Sequence, residues 1–116
     1  MKCIVVDDEP IARRGIKKLV SKISSLELVG AFESAETAAD YMKDDPVDLI
    51  FLDIRMPGIS GIEFARKIPE TTLTIFTTAF AEFAIDSYEV DAIDYLVKPI
   101  KPERFSKAVD KAIYYQ

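Results

Sequence analysis

The sequence predicts an α/β domain built on one doubly wound parallel sheet, and three observations predict it. Short apolar runs alternate along the whole chain with segments whose apolar residues recur at helical spacing. One run, Leu49–Leu52, is apolar on both faces, as a central parallel strand must be. Nearly every expected strand also runs straight into polar residues able to do chemistry, which an all-parallel sheet gathers on a single edge.

Taken in order, Cys3–Val6 is the first strand. Ile16, Leu19, Val20 and Ile23 follow at i, i+3, i+4, i+7, giving a helix with Arg13, Arg14, Lys17 and Lys18 mainly on its wet side. Pro10 suits its first turn, where the missing N–H is harmless. Leu26–Phe32 is the second strand, and Glu27 within it marks an edge position. Ser34 is an N-cap for the next helix, whose inward stripe is Ala35, Ala38, Ala39 and Met42, and Asp45-Pro46 ends it. After Leu49–Leu52 comes a Pro- and Gly-containing loop from Asp53 to Gly61. A short helix turns Ile62, Ala65 and Ile68 inward. Leu73–Thr78 is the fourth strand, Ala81–Tyr88 a weaker fourth helix, and Tyr95–Val97 a short fifth strand stopped by Lys98-Pro99. The last helix presents Phe105, Ala108, Val109, Ala112 and Ile113 on one face. These are five β-α units in succession, joined by right-handed crossovers. For a five-stranded sheet the expected order is the flavodoxin-like 2-1-3-4-5.

Composition narrows the function. The chain has 116 residues, 49% of them hydrophobic, enough for one domain with a real core. Its net charge of −5 disfavours DNA binding by this segment itself, because that affinity rests on Lys and Arg neutralising phosphates. A single cysteine, Cys3 in an apolar run, forbids an internal disulfide, and the absence of histidine removes the commonest metal ligand and acid–base group. No apolar run reaches membrane-spanning length and no signal peptide opens the chain, so a cytoplasmic protein with no membrane partner is expected.

The chemistry lies at the strand ends. Asp7, Asp8 and Glu9 follow the first strand, Asp53 the third, Thr77-Thr78 close the fourth and Lys98 the fifth. In the expected order the ligand crevice lies between strands one and three, the two that bear the aspartates. Two carboxylates about 4 Å apart repel by about 4 kcal/mol near a protein surface. A divalent cation relieves that repulsion. With only oxygen donors on offer the ion is a hard one, and Mg²⁺ fits best because it keeps several waters and accepts phosphate oxygens. Lys98 and a threonine hydroxyl then suit an anionic phosphoryl group. Asp53, alone at the end of a central strand, is placed as the nucleophile, with Asp7 and Asp8 as metal holders.

At this point the residues resemble a family. The run "DIRMPGISG" (Asp53–Gly61) is similar to the phosphoacceptor loop of two-component response regulator receiver domains: Asp, two variable residues, Met-Pro, three variable residues, Gly. "VVDDEP", "FTTA" and "YLVKP" match the family's other motifs in the same order, and the resemblance covers the whole chain. It implies that Asp53 is the phosphoacceptor, Asp8 a direct Mg²⁺ ligand and Asp7 a second, partly water-mediated one, and the Arg55 backbone carbonyl a further ligand. It implies that Thr78, Ala79 and Lys98 hold the phosphoryl group, that the Lys98-Pro99 bond is cis, and that Thr78 and Tyr95 form the switch. The segment "IFTTAFAEFAIDSYEVDAIDYLVKPI" resembles receivers attached to LytTR-type DNA-binding domains, which implies an N-terminal receiver (1–116) of a longer transcriptional regulator.

The implied function is acceptance of a phosphoryl group from a sensor histidine kinase, followed by a shift of the face made by the fourth helix, fifth strand and last helix. That face often dimerises in the family, and DNA is reached only through an output domain outside this chain. The chain is expected to be no enzyme beyond Mg²⁺-dependent self-phosphorylation and self-dephosphorylation. Arg55 and Phe80, each two residues past a site residue, are placed to set the lifetime of the phosphoryl state. A stand-alone receiver acting as a phosphorelay intermediate or interaction module is the alternative. An aspartyl phosphatase is disfavoured because "DDE" does not match the Asp-x-Asp nucleophile loop, and an FMN carrier because acids after the first strand would repel the cofactor.

Overall fold

The structure is a computed structural model, described here for residues 1–56, 58–80 and 92–116. Its strands are β1 (Lys2–Val6), β2 (Glu27–Phe32), β3 (Leu49–Asp53), β4 (Leu73–Thr78) and β5 (Asp94–Val97), all parallel in the order β2-β1-β3-β4-β5. The helices are α1 (Pro10–Ser21), α2 (Ala35–Asp44), α3 (Gly61–Ala65) and a last helix, Pro102–Tyr115. The fourth helix expected at Ala81–Tyr88 lies outside the described residues.

Strand periodicity divides the core in two. Cys3, Val5, Leu49, Phe51 and Ile75 point to one face of the sheet, where Ile16 and Val20 of α1 and Phe105, Ala108, Val109 and Ala112 of the last helix cover them. Ile4, Val6, Ile50, Leu52 and Phe76 point to the other, against Ala35 and Ala38 of α2 and Phe64 of α3. β1 and β3 are thus apolar on both faces because both faces are covered. Phe51 stacks on Phe105 at 5.1 Å between ring centroids, tying the sheet centre to the last helix. Glu27 is exposed on β2, which is an edge strand as expected. Ser34 accepts the Thr37 N–H at 3.2 Å and caps α2.

Three local expectations need correction and one is incomplete. α1 stops at Ser21, so Ile23 packs from the turn beyond it. Arg13 is half-buried rather than on the wet face, because its guanidinium folds back over the β1–α1 turn. Around α3, Ile62, Ala65 and Ile68 pack against the core as expected, Ile68 from beyond the helix end, but the buried anchor is Phe64, which the expected stripe omits because five residues are too few for a period to single out one face. In the last helix Ala112 takes the inward position, and Ile113, about 100° further round, is 40% exposed.

Candidate functional site

The ends of β1, β3, β4 and β5 meet at one cleft of about 170 Å³, where Asp7, Asp8, Asp53, Arg55, Thr78, Ala79 and Lys98 converge with Glu9 and Phe80. Every residue expected to hold metal or phosphoryl group lines it, and the expected switch ring, Tyr95, stands outside it. That ring lies one layer down in β5, half-buried and stacked on Phe76 at 5.6 Å. The strand register explains the separation: Phe76 pairs with Tyr95, two rungs below Thr78.

Asp7 sits at the end of a strand buried on both sides, and each of its polar atoms has a partner. Its N–H donates to the Phe32 carbonyl at 3.0 Å. Its own carbonyl accepts from Arg13 Nη1 at 2.6 Å. Oδ1 accepts the Glu9 N–H at 3.0 Å and Oδ2 accepts from Lys98 Nζ at 2.7 Å. Asp8, the next residue, turns outward and is exposed. Asp53 closes β3 and is 6% exposed, with Oδ1 3.6 Å from the Lys98 ammonium.

The Asp53 loop is shaped by glycine. Gly61 donates its N–H to the Ile54 carbonyl at 2.8 Å, folding the loop back over the end of β3. A Cβ on Gly61 would overlap the Asp53 carbonyl, so no other residue fits without moving the aspartate. Gly58 takes the left-handed region at φ 81°, which L side chains rarely adopt. On the opposite wall the Lys98-Pro99 peptide is cis, as expected, and the Lys98 N–H donates to the Thr78 carbonyl at 2.7 Å. Thr78 Oγ1 accepts the Phe80 N–H at 3.0 Å. The Arg55 guanidinium lies 5.1 Å from the centroid of the Phe80 ring, across the mouth of the cleft.

The electrostatics follow from the crowding. Burial first, then the neighbouring Asp7 charge, pushes the Asp53 carboxyl up to about 7, against the opposing pull of Lys98. Burial alone would lower the Lys98 ammonium, but its hydrogen bond to Asp7 and the Asp53 charge outweigh this and hold it above the ordinary lysine value. Asp7, Asp8 and Asp53 each offer one carboxylate oxygen within 4.8 Å of the others. Three oxygen donors with no nitrogen or sulfur among them are the donor set of a hard divalent cation.

Neither the Arg13–Asp7 contact nor the Glu9 N–H was expected from the sequence. The available signal was weak: an arginine one turn into a helix that follows a turn of acids.

A family model described as the response regulator receiver domain matches residues 3–110. The chain is 40% identical over 114 residues to the sensory transduction protein LytR of Staphylococcus haemolyticus, covering 96% of this chain and 44% of that protein. It is 38% identical over 112 residues to an uncharacterised response regulatory protein of Vibrio cholerae, covering 93% of this chain and 43% of that one. LytT of Bacillus anthracis is 33% identical over 114 residues, with 96% and 46% covered. The chain therefore spans less than half the length of these curated relatives. Among solved structures, the response regulatory domain of mrkE from Klebsiella pneumoniae superposes with a TM-score of 0.90 at 31% identity, covering 99% of this chain and 97% of that one. With its motifs, its 2-1-3-4-5 sheet and these relatives, the chain belongs to the response regulator receiver domain family, and its likeness extends to the receivers of LytR and LytT proteins.

Proposed function

We propose that this chain is a phosphorylation-controlled receiver of a two-component system that accepts a phosphoryl group on Asp53. One observation supports this above the others: Asp53 lies at the floor of a cleft holding two more aspartates, a lysine within 3.6 Å and a threonine hydroxyl on the facing wall. An Asp53 carboxylate oxygen forms the new P–O bond as the P–N bond to a sensor kinase's phosphohistidine breaks. Asp8, Asp53 and the Arg55 carbonyl, with Asp7 alongside, would hold Mg²⁺, which would supply the positive charge that lets a carboxylate and a phosphoryl group approach. Lys98 shares that neutralisation, and Ala79 with Thr78 offers donors to the phosphoryl oxygens. The chain is a phosphoacceptor rather than an enzyme with a separate substrate; the acyl phosphate is later lost to water.

The output is a population shift. Thr78 leaves the Phe80 N–H for the new phosphoryl oxygen, and Tyr95, two rungs away, responds to the space this vacates. An apolar groove of about 660 Å³ between α1 and the Lys98–Pro102 segment suits the kinase: Ile11, 72% exposed, stands at its edge with Lys18 and Lys22. The chain covers less than half of the relatives it matches; following the resemblance to LytTR-type regulators, we further propose that the shift is passed in the cytoplasm to a DNA-binding output domain through receivers that pair when phosphorylated. Mass spectrometry after incubation with acetyl phosphate and Mg²⁺ tests the chemistry. One added phosphoryl group is expected, absent in Asp53→Asn and absent in EDTA; an unmodified wild-type chain overturns the reading.

A further inference from the structure

We propose that Arg13 is a positioning residue that aims Asp8 at the metal, an inference that rests on the Mg²⁺-dependent reading above. Arg13 lies in the first turns of α1 and its Nη1 reaches back six residues to the Asp7 carbonyl at 2.6 Å. That carbonyl belongs to the peptide linking Asp7 to Asp8, so its direction fixes the plane from which Asp8 departs. A guanidinium hydrogen bond this short is charge-assisted and stiff. Asp7 is held at its other three polar atoms by Phe32, Glu9 and Lys98, so the peptide's remaining freedom is rotation towards Asp8. Asp8 itself is exposed. The orientation of its carboxylate therefore depends on the backbone beneath it, and Arg13 is what grips that backbone.

Electrostatics and positioning predict opposite signs. Removing a cation near a cation site should strengthen metal binding by Coulomb attraction alone. Removing the group that aims a ligand should weaken it, typically by tenfold or more. Isothermal titration of the chain with MgCl₂ separates the two. Arg13→Met is expected to bind Mg²⁺ about tenfold more weakly, and Arg13→Lys, which keeps a donor, to stay within about threefold of wild type. Arg14→Met, a charge loss on the exposed side of the same helix, should bind Mg²⁺ at least as tightly as wild type. Adding Arg13→Met to Asp8→Asn should cost little further affinity, because the residue being aimed is already lost. Unfolding midpoints in EDTA identify variants that hold their fold, and Arg13→Gln replaces Arg13→Met if the latter does not. Unchanged or tighter Mg²⁺ binding in a folded Arg13→Met or Arg13→Gln variant overturns the proposal, as does full additivity with Asp8→Asn. Failure of the wild type to bind Mg²⁺ would instead overturn the functional reading on which it rests.

Discussion

At the scale of single residues, Asp53 is held against its own charge. With its pKa pushed up to about 7 by burial and Asp7, the folded chain binds that proton more tightly than the unfolded chain, whose carboxyl titrates near 4. Stability is therefore full below the unfolded value and falls as pH rises through about 7. In EDTA the urea midpoint of wild type should drop between pH 5 and 8, whereas Asp53→Asn should stay flat and end about 2 kcal/mol more stable at pH 8. Added Mg²⁺ should restore wild type and leave the variant unchanged. Phe80 makes a different contribution. Under the Arg55 guanidinium at the cleft mouth, its ring is placed where it would screen an acyl phosphate on Asp53 from water. Phe80→Ala should speed decay of phosphorylated Asp53 by about three- to tenfold, roughly 1 kcal/mol of barrier. Equal decay rates in a phosphate-release assay would sink that role.

At the scale of elements, the β3–α3 loop and the β5–last helix junction are the sensitive joints. Gly61→Ala drives a methyl into the Asp53 carbonyl and against the Ile54 backbone, none of which can swing aside like a side chain. The expected loss is about 2–3 kcal/mol in thermal or urea unfolding, together with loss of phosphoryl acceptance, because any relief moves Asp53. At the other joint Arg104 donates two hydrogen bonds to Asp94, at 2.6 and 2.8 Å, tying the last helix to the start of β5. Burial alone would raise the Asp94 carboxyl, but these bonds outweigh it and hold it below the ordinary carboxylate value. That stability is present above the unfolded pKa near 4 and is lost as pH falls through the depressed folded value. Arg104→Leu should therefore lower stability at pH 7 by about 0.5–1 kcal/mol, because Arg104 is largely solvated, and flatten the acid limb of the pH–stability curve.

At the scale of the whole molecule, the doubly wound sheet sets the acidic cleft apart from the outer flank proposed as the output face. The carboxyl ends of four strands form the cleft, while β5 and the last helix form an outer flank that ends in Tyr114 and Tyr115, 81% and 62% exposed. Large exposed rings beside Arg104, Lys107 and Lys111 suit a partner surface rather than water. Beryllofluoride with Mg²⁺, standing in for the phosphoryl group, should raise the weight-average mass in sedimentation from one chain towards two at high protein concentration. Identical sedimentation with and without it would remove dimerisation from the proposal.

Much of this was legible in the residues alone. Hydrophobic period is local, so Leu49–Leu52 and Ala35–Ala38 announce a strand and a helix without any knowledge of their neighbours. Once five parallel strands are granted, topology alone sends Asp7, Asp53, Thr78 and Lys98 to one edge, and the motif resemblance marked the same residues. What the tertiary structure decided are the contacts that cross the chain. Lys98 sits 2.7 Å from Asp7 and 3.6 Å from Asp53, though Asp7 lies 91 residues away in sequence. Arg13 lies at the border of the apolar stripe, where its charge argues for water, yet its guanidinium turns to the Asp7 carbonyl. Gly61 is required because of the Asp53 carbonyl it touches, which no turn preference reveals. Periodicity says which way a side chain faces; only the packed fold sets how far apart two side chains lie, and hydrogen bonding and charge respond to that distance.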